Sequence, residues 1–311
     1  LVTGVQTCAL PIFAAAAWAL KLDRYQTAMA LAIASSLASG IKANFGTMTK
    51  PLHVGHSGRN GLLAVFLAMR GFTANQYAME HQQGFLNLFN GPEEFNMDVF
   101  FEDRRDLAIN LPTLGIKQYP CCGSTHQAIT AMAELVKTRK IDCEEFDKIT
   151  IHTHVRRLNH TNNPCPKTTL EAKFSVQYVV LRALLNGTVR LGDFQEGAIL
   201  DPEVQALLGR IHAVPFADQG SPDGEPWDAE VVVTLKSGEV IRNRVNNMVG
   251  RSGDNAMSVS ELKSKFDDCA DGVITNAQRD HVFGSLMTLE EMPDTSALAK
   301  SLAGNVSLYA S

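Results

Sequence analysis

One polar, glycine-rich stretch carries side chains that could bind and deprotonate a small acid. Residues 45–61 (FGTMTKPLHVGHSGRNG) contain one lysine, one arginine, two histidines and four glycines. Lys50 and Arg59 could bind carboxylates, and His53 or His56 could move a proton near neutral pH. We interpret the stretch as a ligand-binding loop, and the alternative is a turn and helix start whose charges are solvated. The glycine spacing does not match a phosphate-binding loop.

A second cluster lies at residues 117–126 (KQYPCCGSTH), where a short strand is predicted to run into a helix. The first turn of a helix offers free N–H groups that favour anions, so Lys117 and His126 are candidate substrate-facing groups. Cys122, four residues before His126, could form a nucleophilic pair with it. The favoured alternative is a buried cysteine and a histidine that caps the helix.

A third group of candidates follows in the next predicted strand. His152 and His154 alternate on one strand face, which suits a metal, but no third ligand has a matching spacing. We therefore predict no metal site and a partly exposed strand histidine. Arg156 and Arg157 could hold an acidic group or form a solvated edge, and the residues alone do not separate these alternatives.

Composition excludes several classes of protein. The chain has 311 residues, a formal charge of −5 and a pI near 6.0, which disfavours nucleic acid as a partner. Its six cysteines form no C-x-x-C pair, so we expect reduced thiols and a cytoplasmic location. No apolar run reaches the ~18 residues that a membrane-spanning helix needs, so no membrane association is expected.

The elements that must position these residues change character along the chain. Residues 23–39 predict a helix with Asp23 as its N-cap, and residues 62–69 predict a second helix after the loop. Further helical patches are expected at residues 76–81 and 93–101.

The middle of the chain mixes strands and helices. The hydrophobic patterns predict a β-hairpin around Lys236–Glu239 and a capping box between Ser258 and Glu261. The remaining predictions are a strand at 115–119, a helix at 124–138, a strand at 148–154 and a helix at 168–185.

We therefore predict an α+β fold in which a helical domain is built from both ends of the chain. Its parts are residues 14–113 and 251–311, with a smaller α+β lid domain inserted at residues 114–250. Residues 1–13 resemble a translated sequencing adapter, and we expect them to be a non-native leader.

Several motifs together resemble the MmgE/PrpD family, which includes 2-methylcitrate dehydratase, cis-aconitate decarboxylase and an iminodisuccinate epimerase. The resemblance runs from about Ala19 to the C-terminal region. The motifs lie at residues 46–53 (GTMTKPLH), 59–61 (RNG), 71–73 (GFT), Glu80, 84–85 (GF), 117–126 (KQYPCCGSTH), 233–238 (VTLKSG) and 262–266.

The resemblance implies a cofactor-free, dimeric enzyme that acts on small di- or tricarboxylic acids in a cleft between the helical domain and the lid. Lys50 and Lys117 match the family's active-site lysines, and with His126 they are the expected catalytic residues. The expected substrate-binding residues are His53, Arg59 and Cys122.

Two departures from the family bear on activity. Cys122 stands where cis-aconitate decarboxylases carry a catalytic histidine, which argues against that reaction. The family also has a further N-terminal portion of about 150 residues that supplies active-site histidines, so we expect this chain to be a fragment.

The shared chemistry of the family would be removal of a proton from the carbon next to a carboxylate. The leading hypothesis is a dehydratase-type lyase. The alternatives are an isomerase or epimerase of the same family, a non-catalytic carboxylate-binding protein, and an inactive fragment.

Overall fold

The computed structural model describes residues 9–44, 47–92, 95–96, 98, 115–217, 228–246, 249–250 and 255–302. The chain divides into two compact units, Leu1–Arg105 and Asp106–Ser311, here called unit 1 and unit 2. The α+β class is confirmed, because helices surround one mixed sheet in the described part of unit 2. The predicted insertion of a lid into a helical domain stays a prediction.

Unit 1 is helical in its described residues. Its second helix begins as predicted, because Asp23 accepts from the Gln26 backbone N–H at 2.8 Å and Gln26 caps Asp23 in return. The first helix starts inside the predicted leader, and residues 1–8 of that leader lie outside the described residues. The helices are α1 (Ala9–Ala19), α2 (Arg24–Leu37), α3 (Thr49–Met69) and α4 (Phe85–Asn90).

Helix α3 corrects the prediction of a loop at residues 45–61. Residues 49–61 form the first half of a helix of 21 residues, while residues 45 and 46 lie outside the described part. Glycines weaken a helix, but here the small buried side chains of one face let α3 pack closely against α2. The Asn60 amide also donates to the Leu37 carbonyl at 2.9 Å, at the C-terminal end of α2.

Two smaller predictions in unit 1 have different outcomes. The helix expected at residues 76–81 is wrong, because these residues form consecutive turns after Gly71. Most of the patch at residues 93–101 lies outside the described residues.

Unit 2 is built on a sheet with the strand order β2-β1-β3-β4. Strand β1 pairs in parallel with β2 and antiparallel with β3, and β3 pairs antiparallel with β4. The predicted strand at 148–154 and the predicted hairpin are thereby confirmed. The strands are β1 (Phe146–Thr153), β2 (Ile211–Pro215), β3 (Ala229–Leu235) and β4 (Val240–Val245).

Helices cover this sheet and bury its alternating apolar face. The helix predicted at 124–138 is confirmed as α5, and it packs against β3, β4 and the buried helix α8. The helix predicted at 168–185 is interrupted, and α7 and α8 replace it. The helices are α5 (His126–Thr138), α6 (Val155–Thr161), α7 (Thr169–Ala172), α8 (Val176–Asn186), α9 (Glu196–Ile199) and α10 (Pro202–Leu208).

The C-terminal part of unit 2 is helical. The predicted capping box is confirmed, since Ser258 accepts from the Glu261 N–H and the Glu261 carboxylate accepts from the Ser258 N–H at 2.8 Å. Over the described ranges, no helix has both the length and the apolar character needed to cross a bilayer. The helices are α11 (Val259–Ala270), α12 (Asn276–Met287) and α13 (Ser296–Leu302).

Candidate functional site

The segment before helix α5 is a compact turn. The prediction of a strand at residues 115–119 is wrong, because only Gly115 forms a β-bridge. The exposed Lys117 ammonium donates to the Cys121 carbonyl oxygen at 2.9 Å, which folds the lysine back over the turn. The Cys122 N–H donates to the Lys173 carbonyl at 2.9 Å. These two bonds hold Lys117 beside the N-terminal end of α5.

His126, the first residue of α5, is buried and neutral. Its side chain is 2% exposed, and neither ring nitrogen has a well-formed hydrogen bond to a described residue. Burial, followed by the nearby positive charge of Lys117, lowers the pKa of His126 to about 4. The carbonyls of Cys121 and Tyr119 oppose this shift without reversing it. The ring is therefore an uncharged group inside the protein at neutral pH.

The two adjacent cysteines are both buried. Burial raises the pKa of the Cys121 thiol to about 12, and this thiol lies 3.4 Å from the Thr125 hydroxyl. Cys122 makes no hydrogen bond with the ring nitrogens of His126, so the geometry agrees with the buried-thiol interpretation and not with a nucleophilic pair.

A histidine from another helix completes this cluster. The Ser124 hydroxyl and the Nε2 atom of His160 lie 3.0 Å apart, and both residues are half-buried. His160 is in the last turn of α6. Ser124 was missed, because nothing within residues 117–126 indicates a contact to a residue 36 positions away.

The remaining predicted site residues lie on α3 in unit 1. Lys50 is in the first turn of the helix, and His53 follows three residues later on the same face. The Nδ1 atom of His53 is buried without a hydrogen-bond partner among the described residues. Arg59 is exposed and lies about 180° around the helix from Lys50, so the helix does not bring these two cations together.

The sequence candidates thus fall into two groups, one in each unit. Lys117, Cys122 and His126 are brought together in unit 2, and Lys50 with His53 in unit 1. The predicted cleft that would join both groups stays a prediction.

The strand histidines take separate structural roles. His154 accepts from the Arg156 N–H and caps α6, while His152 stacks on Phe216 with a ring-centroid distance of 6.0 Å. Within the described ranges, no three His, Cys, Asp or Glu side chains are grouped as metal ligands would be.

Two models of one protein family match successive parts of the chain. The MmgE/PrpD N-terminal domain matches residues 2–98, and the MmgE/PrpD C-terminal domain matches residues 119–288.

Curated relatives are similar over nearly the whole chain. The cis-aconitate decarboxylases of Homo sapiens and Mus musculus are 29% and 27% identical over 94% of this chain. The cis-aconitate decarboxylase of Aspergillus terreus is 25% identical over 88% of the chain. The chain spans about 60% of the length of the two mammalian relatives and 58% of the fungal one.

Proposed function

The chain belongs to the MmgE/PrpD family, and from that premise we propose that it is a lyase for a small di- or tricarboxylic acid. The proposed reaction removes a proton from the carbon next to a carboxylate and then eliminates water. The relatives are named for a tricarboxylic acid, which supports the substrate class.

The placement of Lys117 carries the proposal. Its ammonium is tethered to the Cys121 carbonyl at 2.9 Å and remains exposed beside the N-terminal end of the 13-residue helix α5. The positive end of the helix dipole lies at this end of α5, so it and the ammonium both attract an anion. A carboxylate bound there would meet positive potential from two sources.

Lys50 supports the proposal from unit 1. Lys50 lies in the first turn of α3, where the positive end of the helix dipole also lies. Two sources of positive charge at one end of a helix suit anion binding. Lys50 and Lys117 would hold the substrate carboxylates and the enolate charge that develops when the proton leaves.

His53 and Arg59 are proposed as further substrate-binding residues, and His126 stays a proposed site residue. Because the His126 ring is 2% exposed, a supporting role beneath Lys117 suits it better than contact with the substrate.

Dehydration is preferred to decarboxylation because of Cys122. Its thiol is buried, and at this position the resemblance implies a catalytic histidine in the decarboxylases. Epimerisation would follow if the proton returned to the same carbon before water could leave.

Proton NMR in deuterated water with citrate, 2-methylcitrate, cis-aconitate and aspartate-derived acids tests this proposal. Loss of water from one acid supports a dehydratase and identifies its substrate. Loss of carbon dioxide would indicate a decarboxylase, and deuterium incorporation alone would indicate an epimerase. A chain that neither converts nor binds any of these acids would contradict the proposal and favour an inactive fragment.

Two matched lysine variants test the role of Lys117. Lys117→Met should lower turnover by about 100-fold or more, since a positioned charge is lost from the site. Lys140→Met removes an exposed lysine beyond the other end of α5 and should leave turnover unchanged. Equal effects of the two variants would count against a role for Lys117.

The proposal also includes catalysis without a cofactor and a homodimeric assembly in the cytoplasm. Light scattering of the purified protein tests the dimer, and full turnover after dialysis against a chelator tests independence from a metal.

A further inference from the structure

A serine and a histidine outside the sequence-matched site residues lie together at the N-terminal end of α5. The Ser124 hydroxyl is 3.0 Å from Nε2 of His160, a distance at which one proton can be shared. Ser124 is two residues from Cys122, within the 3₁₀ turn Gly123–Thr125 that leads into α5. Both residues are half-buried, so solvent reaches them.

Several contacts hold the histidine in this position. Helix α6 packs against the 3₁₀ turn, and Arg157, one turn before His160, donates to the Gln127 side chain at 3.2 Å. At the other end of α6, the Gln177 amide donates to the Asn162 side chain at 2.6 Å. The ring therefore faces Ser124 from a helix that is fixed on both sides.

We infer that Ser124 and His160 form the acid–base pair of this site. The inference rests on the proposed function and deepens it, because it assigns the proton transfer to two named atoms. His160 lies in the last turn of α6, so its ring comes from a helix other than α5.

Ser124 and His160 together account for every proton that moves in the proposed step. The Ser124 hydroxyl accepts the proton from the carbon next to the carboxylate while its own proton moves to Nε2 of His160. The electron pair of the broken C–H bond stays on the substrate as an enolate, which the Lys117 ammonium and the positive end of the α5 dipole stabilise. The imidazolium then returns its proton through Ser124, either to a leaving hydroxide, giving water, or to the carbon.

The neighbouring candidates are less suited to this role. His126 is 2% exposed, and burial holds its pKa at about 4. Cys122 is 8% exposed and lies where the family resemblance would place a histidine. His160 places an imidazole at that end of α5 from a different helix.

Exchange of substrate hydrogen with deuterated water, measured on the whole chain, tests the pair. His160→Ala and Ser124→Ala should each slow exchange by about 100-fold, the usual contribution of one acid–base group. Because the pair acts as a unit, the double variant should be no slower than the slower single variant. Ser124→Thr keeps the hydroxyl and should restore most of the rate, and added imidazole should partly restore His160→Ala.

The outcomes separate the inference from the proposed function. If His160→Ala exchanges within about threefold of the natural chain while Lys117→Met is inactive, the pair is overturned and the lyase stands. His281→Ala, at an exposed position of α12, is the control and should exchange at the natural rate. If the natural chain exchanges no acid, the lyase fails, and the ¹⁵N resonance of His160 Nε2 then decides the inference. An unshifted resonance on addition of cis-aconitate overturns the pair.

Discussion

The ring of Tyr119 lies edge-on to the ring of His126, with centroids 5.3 Å apart and planes at 77°. The Tyr119 hydroxyl is hydrogen-bonded to Thr130 at 3.3 Å, one turn further along α5, which fixes the tyrosine over the histidine. The Tyr119 ring is part of the packing that buries His126. Burial of this kind is the main cause of the low pKa of His126, followed by the charge of Lys117.

The stability of unit 2 should therefore fall as the pH falls from 6.5 to about 4. The pKa of His126 is lower in the folded chain than in the unfolded chain, so the unfolded chain binds the proton first. Above pH 6.5 His126 contributes nothing to pH dependence, and within the window it contributes up to about 1.4 kcal/mol per pH unit. Urea unfolding at pH 7.5, 6 and 5 measures this loss.

His126→Phe should flatten that pH dependence, because the ring contact remains while the titrating group is gone. The matched control is His281→Phe at an exposed position of α12, which should leave the natural slope in place. Parallel slopes in the natural protein and His126→Phe would show that another group is responsible.

Alanine substitutions at two glycines of unit 1 should change the free energy of unfolding in opposite directions. An added Cβ meets no atom within 4 Å at Gly55 or Gly71, but Gly71 has a φ of +78° and Gly55 lies inside α3. Gly55→Ala should raise the free energy of unfolding by about 0.5–1 kcal/mol through helix propensity. Gly71→Ala should lower the free energy of unfolding by about 1 kcal/mol, because a residue with a Cβ is strained at this left-handed backbone conformation. Thermal melts of both variants check this, and a destabilising Gly55→Ala would argue for the loop that α3 replaces.

Arg182 should matter far more to stability than an exposed arginine in a similar ion pair. Its guanidinium lies 3.8 Å from Asp193 and donates to the Tyr178 hydroxyl at 3.0 Å, and both charged side chains are nearly buried. Arg182→Met leaves the Asp193 carboxylate uncompensated and should cost about 3–5 kcal/mol. Arg139→Met breaks an exposed pair with Glu239 and should cost about 1 kcal/mol or less. Denaturant midpoints of the two variants give the comparison.

The cysteines should divide into two classes of reactivity in the folded chain. Cys165 and Cys269 are exposed, whereas Cys121 and Cys122 are buried and the pKa of Cys121 is about 12. A brief treatment with iodoacetamide at pH 8, followed by peptide mass spectrometry, should label the exposed pair first. Labelling of Cys121 at the rate of Cys165 would contradict the packing around α5.

Predictions succeeded where the signal is local. The capping boxes at Asp23 and Ser258 and the hairpin around Gly238 depend on residues within a few positions of each other, so the sequence contains the whole interaction. The prediction for α3 was wrong, because packing against α2 outweighs the weak helix propensity of Gly55 and its neighbours. The contact of Ser124 with His160 shows the limit of local signals, since the two residues are 36 positions apart and no local pattern indicates their contact.

The sequence by itself determined the family motifs, the α+β class and the lysines of the proposed site. Only the tertiary structure decided which histidines can exchange protons with solvent. His126 and His160 are the same residue type, but one is 2% exposed beneath Tyr119 and the other faces Ser124 from a separate helix. Desolvation and contacts between distant segments arise only when helices pack, so spacing along the chain does not carry them.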